Sequence, residues 1–196
     1  MLLALLPAAA LADGPIWSPP AAWPPILRDV ASRLPQHTDA KDADLITYTH
    51  EATHFLSRWK AGAHGVYVGG GERWFVPTPP LRTESVLAAV PDELRGSIYR
   101  TYLEQGRTEY WREQPLMLID EWNAYTHGTI ARRELGVETR RETALHCWRF
   151  AQYVRVLVRL ARECEGYDAS ELRRFCTWNL ARCKEVAPDL TWNWTY

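Results

Sequence analysis

The period of the sequence changes once, between Gly65 and Val76. There, Val66-Tyr67-Val68 and Arg73-Trp74-Phe75-Val76 flank Gly69-Gly70-Gly71. Two β-prone runs around a glycine turn predict a hairpin, closed by Pro77, Pro79 and Pro80. Elsewhere the apolar positions recur at three- and four-residue spacing, the signature of helices with one buried face. From Asp44 to Lys60 these positions are Leu45, Tyr48, Ala52, Phe55, Leu56 and Trp59, with Asp42 or Asp44 as N-cap and Gly62 and Gly65 as stops. Further helices are predicted over 26–34, 84–90, 92–105, 116–135, 142–165 and 170–186. Pro115 is placed for a first turn, Gly136 lies just past an end, and Asp168 with Glu171 has capping-box spacing. The expected fold class is mainly α with a small β-hairpin, in a single domain over 42–196 that ends in a helical hairpin over 142–186. A Pro/Trp-rich arm and short helix over 13–41 precede it, with Trp17 and Trp23 laid against the domain.

Residues 1–12 form an apolar run ending in Ala10-Leu11-Ala12, a small-x-small cleavage pattern, and predict a signal peptide. The run is shorter than the roughly 20 apolar residues that span a bilayer, so no stable membrane insertion is expected and the mature chain is expected to be secreted or periplasmic. An even number of cysteines fits an exported chain with disulfides: Cys147, Cys164, Cys176 and Cys183. Partners on one helix are excluded, because a disulfide needs Cα atoms within about 7 Å and the helical rise is about 1.5 Å per residue. Antiparallel helices then nest Cys164 with Cys176 and Cys147 with Cys183; the alternative is four buried free thiols. The net charge of −1 gives no reason to expect a polyanionic partner. The arginines of the last helices alternate with Glu134, Glu138, Glu142, Glu163 and Glu171, the pattern of a solvated, salt-bridged face, so no nucleic-acid partner is expected.

The chemistry concentrates in His50-Glu51-Ala52-Thr53-His54. Histidines at i and i+4 leave one face of a helix together and offer two nitrogens to one metal ion. Glu51 lies about 100° around the helix, where it does not coordinate but reaches a water that zinc makes acidic, as in metalloproteases. A catalytic zinc needs a third protein ligand and an open position. The extended metzincin pattern is excluded, because Lys60 stands where its third histidine would be. Glu121 is the best candidate: a carboxylate among Leu116, Met117, Leu118, Ile119 and Trp122, costly to bury unless a cation pairs with it. The alternative for Glu121 is an ion pair with an arginine. Asp120 is the runner-up ligand, and Glu109 and Glu113 are remoter ones. His64, His127 and His146 are read as packed or surface residues.

This combination resembles the gluzincins, in which H-E-x-x-H on one helix is completed by a Glu on a later helix. The resemblance covers two helices and implies a zincin-like domain. In it His50, His54 and Glu121 hold Zn2+, Glu51 is the general base, and the protein is a zinc metallopeptidase acting on a peptide or protein substrate. Thermolysin-like members carry, four residues after the glutamate, an Asp that orients a ligand histidine. Tyr125 stands there instead, and Asp120 could supply the carboxylate, though it points about 100° around the helix from Glu121. The HEATH helix, glycine hairpin and Asp120–Tyr125 segment are together also similar to bacterial proteins of unassigned role.

Tyr125 is a second catalytic candidate, since a phenol beside zinc can donate to a developing oxyanion; the alternative is a core tyrosine. Tyr48 and Tyr110 are substitutes. The hairpin offers Val66–Val68 or Arg73–Val76 as an edge for an extended peptide, with the glycines as a mobile flap, or simply covers the HEATH helix. The competing function is a catalytically silent zinc protein that binds a partner or a cell-wall component through a cleft built from some of its ten tryptophans.

Overall fold

A computed structural model describes residues 19–34, 44–105, 113–137 and 141–196. The proposed signal peptide, Trp17, the 37–41 loop, Asp42, Glu109 and Tyr110 lie outside the described residues. The elements run α1 (Pro25–Ala31), α2 (Leu45–Leu56), β1 (Arg58–Lys60), β2 (Ala63–Gly69), β3 (Glu72–Pro77), α3 (Thr83–Ala88), α4 (Met117–Glu134), α5 (Arg141–Glu163) and α6 (Ser170–Val186). The chain is mainly helical with one small antiparallel sheet ordered β1-β2-β3. Among the described residues no helix is long and apolar enough to cross a membrane.

Helix α2 begins where Asp44 accepts the Ile46 and Thr47 amides, each at 3.1 Å. It ends at Leu56, four residues short of the expected stop. Ser57 turns to an extended backbone, and its hydroxyl accepts the Tyr67 amide at 3.2 Å. Arg58, Trp59 and Lys60 then pair with Gly65, His64 and Ala63 as a third strand. The helical spacing of Trp59 is thus overridden by pairing with β2, and Gly65 lies inside that strand instead of capping a helix. The predicted helix over 92–105 is also replaced, by a 3-10 turn at Asp92–Leu94 and a π-helix at Tyr99–Gln105. The capping box is absent: Asp168 caps Ser170, while Glu171 turns to Trp74 and Arg174.

The hairpin forms as expected, and its turn needs glycine. Gly69, Gly70 and Gly71 have φ of 110°, 62° and 87°, the left-handed region that side chains resist. Its tip is tied down, against the idea of a mobile flap. Asp29 of α1 accepts the Tyr67 hydroxyl at 2.6 Å and the Gly70 amide at 3.1 Å, and pairs with Arg33. β1 pairs only with residues 63–65 of β2, but Val66–Val68 is no open peptide-binding edge either, because Ser57 accepts the Tyr67 amide and Asn123 donates to the Tyr67 carbonyl. From the arm, Trp23 meets Tyr48 edge-on.

Helix α4 is the axis of the fold. Every residue from Leu118 to Thr129 is buried, wrapped by α2, α5, α6 and the sheet. Several of its buried polar groups find partners, as burial favours: Asn123 donates to the Tyr67 carbonyl at 2.7 Å, Thr126 accepts from Asn179 at 3.1 Å, and one nitrogen of His127 meets Thr53 at 2.9 Å. Gly128 lets α2 approach. A Cβ there would lie 3.3 Å from Thr143 of α5, 3.5 Å from the Ile46 carbonyl and 3.7 Å from the His50 Cβ. Two turns before Gly128, on the same face of α4, stands Glu121.

Candidate metal centre

The close packing of α2 on α4 brings three ligand atoms together. His50 and His54 leave one face of α2, their Nε2 atoms 3.2 Å apart. Glu121 Oε2 from α4 lies 3.6 Å from the first and 3.5 Å from the second. These edges match a tetrahedral site, in which ligands about 2.1 Å from a common centre are about 3.4 Å apart. Glu121 Oε2 is buried without a hydrogen-bond partner. A carboxylate oxygen and two ring nitrogens aimed at one point could hold a cation between them, and the donor set, two imidazoles and a carboxylate, is one that zinc accepts. These residues fit a metal.

Asp120, the runner-up ligand, has another place. Its Oδ2 accepts from His54 Nδ1 at 2.7 Å, and its Oδ1 lies 3.1 Å from His64 Nε2. If a metal displaced the proton from Nε2, the bond to Asp120 would keep the remaining proton on His54 Nδ1 and leave the Nε2 lone pair directed at the common point. Asp120 is thus placed to orient His54, from a residue adjacent to Glu121 rather than four away. His64 is buried on β2 and stacked by Trp59 at 3.9 Å between ring centroids, so its packing is confirmed and its link to Asp120 is new. Glu113 pairs with Arg82 at the surface at 3.4 Å and is no ligand.

The charges respond to burial and to one another. Burial lowers His50, to about 4, helped by the His54 charge. Burial also acts to lower His54, but Glu121 and Asp120 outweigh it and hold His54 well above its ordinary value. Burial would raise Asp120; His54 and His64 hold it far below the usual carboxylate range instead. Glu121 is likewise held down by His54 and His50 against burial. Glu51, half-buried beside these groups, is raised by burial, which makes it a better proton acceptor and carrier.

Tyr125 lies against His50, ring centroids 4.3 Å apart, and its hydroxyl meets the Tyr102 hydroxyl at 2.5 Å. Tyr102 escapes sequence reading because it sits on the π-helix, whose side chains do not follow the 3.6-residue period. His146 of α5 joins the same wall, 5.0 Å from Tyr125 between ring centroids. Tyr48 instead packs on Trp23, away from this cluster.

No protein-family model, no curated protein and no solved structure matches the chain.

Proposed function

We propose that the protein is a zinc-dependent peptidase of the gluzincin type, with a zincin-like domain and a site of action outside the cytoplasm. The observation that carries this reading is the convergence of His50, His54 and Glu121, whose ligand atoms all lie within 4.8 Å of one another, in a sequence that places Glu51 beside the first histidine. His50, His54 and Glu121 would hold the zinc, which would supply Lewis acidity toward a carbonyl and a water molecule. Glu51 accepts the water's proton and returns it to the leaving nitrogen, a double duty that suits a carboxyl raised by burial. Of the two phenols of Tyr102 and Tyr125, one hydroxyl proton lies between the oxygens and the other is left to face a substrate oxygen. Asp120 keeps His54 in the tautomer and orientation that the ligand role needs.

Elemental analysis of protein purified from an oxidising compartment tests the metal: one zinc per chain is expected, lost in His50→Ala, His54→Ala and Glu121→Ala. Glu51→Gln then separates peptidase from carrier. The amide cannot accept a proton, so that variant keeps zinc and fold and loses hydrolysis of a denatured protein substrate. A wild-type protein that holds zinc and cleaves nothing, with or without Glu51, supports the second reading, a silent zinc protein that binds through tryptophan. That reading draws on the half-exposed tryptophans beside α6.

A further inference from the structure

A buried imidazole outside the candidate ligand set reaches the metal centre through one carboxylate. His64 of β2 is 1% exposed. The turn at Ser57 lays β1 beside β2, with Trp59 directly opposite His64 in the pairing. The two rings lie 3.9 Å apart between centroids at an interplanar angle of 32°, a stack that sets the plane of the imidazole. His64 Nε2 then lies 3.1 Å from Asp120 Oδ1. The approach is off the ideal hydrogen-bond line, but neither atom has a partner elsewhere, and His64 Nδ1 has none.

Packing alone does not account for a histidine at this position. An apolar ring would stack on Trp59 as well and would not bury a bare Nδ1, which costs free energy. What the imidazole adds is one N–H donor for Asp120. Asp120 Oδ2 already accepts from His54 Nδ1 at 2.7 Å. A carboxylate held at one oxygen still turns about its Cβ–Cγ bond, a torsion with a broad minimum. A second contact at Oδ1, from a strand and not from the ligand helix, stops that rotation. Asp120 is thereby held between α2 and β2, and the direction of the His54 ring is held with it.

We propose that His64 is a positioning residue for the metal centre: by holding Asp120 Oδ1 it fixes the carboxylate that orients His54. The proposal rests on the zinc reading, and its test separates the failure of one from the failure of the other.

Two variants divide stacking from donation. His64→Phe keeps a ring on Trp59 and removes the donor, whereas His64→Gln places an amide nitrogen near the position of Nε2. Each is made alone and in an Asp120→Asn background. Zinc affinity is read by competition with a chromophoric chelator, and site geometry by the visible spectrum of Co2+ in place of zinc. His64→Phe is expected to weaken zinc binding about tenfold and to alter the cobalt spectrum, and His64→Gln to recover most of the loss. In the Asp120→Asn background His64→Phe should cost nothing further, because its path to the metal is already cut; a general loosening of the core would add to the loss instead. Nitrogen chemical shifts of the unaltered chain are expected to show a proton on His64 Nε2, a measurement that requires no variant to fold. Unchanged zinc affinity in His64→Phe, no recovery in His64→Gln, additive losses in the double variant, or a bare His64 Nε2 would each overturn the proposal and leave the zinc reading standing. An unaltered chain that takes up no zinc would overturn both.

Discussion

At the scale of single residues, the proposed metal site places a special demand on Asp120. Asp120 is fully enclosed and contacts His54 at 2.7 Å and His64 at 3.1 Å. Asp120→Asn keeps the shape but presents an amide that either donates toward the Nδ1 proton or accepts it more weakly, so His54 loses its fixed tautomer. The expected outcome is zinc affinity weakened by about 10- to 100-fold, read by competition with a chromophoric chelator, with one zinc still bound at saturation. An unchanged affinity would mean that Asp120 does not orient the ligand. Glu121 was legible because a charge in an apolar run demands a cation, and the two histidines because four residues make one helical turn. For Asp120 the sequence left two parts open, a runner-up ligand and a carboxylate that could orient a ligand histidine. The same sequence fits a ligand or an orienting group, and only the rotation of α4 against α2 decides between them. Tyr102 lay beyond reach for a related reason: its contact with Tyr125 depends on a π-helix that no local pattern announces.

At the scale of elements, α2 and α4 must approach closely for Glu121 to meet the histidines, and at Gly128 an added Cβ would lie 3.5 Å from the Ile46 carbonyl of α2. Gly128→Ala gains helix propensity, about 1 kcal/mol, against a 3.3 Å contact with Thr143. Gly128→Leu has no such relief, because its side chain meets the Ile46 carbonyl and the His50 Cβ as well. It is expected to cost about 1–3 kcal/mol through overpacking, measured by urea unfolding of metal-free protein. It should also weaken zinc binding, since it parts the ligand helices. Gly128→Leu with undiminished stability and zinc affinity would show that the helices have slack here. Element types and the hairpin were readable from periodicity and from the glycine triplet. The end of α2 was not. Trp59 continues the helical spacing, yet Ser57 turns the chain and the residues after it gain more from strand pairing with 63–65, an interaction set by residues further along the chain.

At the scale of the whole molecule, the same tertiary contacts set the response to alkali and to reduction. Burial pushes Tyr67, Tyr153 and Tyr167 up to about 12 from an ordinary 10.0, and each donates its hydroxyl, to Asp29, the Leu94 carbonyl and the Pro77 carbonyl. A raised pKa stabilises the protonated form in the folded state. Their contribution is therefore full below about pH 10 and is lost as pH rises towards 12. Tyrosinate absorbance should show a late phase near pH 12, reduced by one group in Tyr67→Phe, and a single phase near pH 10 in folded protein would contradict it. Sulfur is the other global constraint. All four cysteines are free thiols here, yet Cys147 Sγ and Cys183 Sγ are 3.2 Å apart and wholly buried, the outer pair that antiparallel helices were expected to nest. Cys164, of the inner pair, lies at the end of α5, its thiol donating to the Leu160 carbonyl at 3.4 Å, and Cys176 is buried in α6. Protein recovered from an oxidising compartment is expected to carry Cys147–Cys183 and Cys164–Cys176, mapped by peptide analysis under non-reducing conditions. The outer bond closes a loop over a separation of 36 residues, so its loss should cost about 3–4 kcal/mol if chain entropy dominates. Thr126 of α4 touches both outer sulfurs, at 3.5 and 3.3 Å, but it is five residues from Glu121 and about 140° around the helix. Reduction should thus lower the melting temperature while zinc stays bound. Four titratable thiols in such protein would refute both the pairing and the expected export, and zinc lost at the same reductant concentration as the first disulfide would show that the staple and the metal site are coupled through α4.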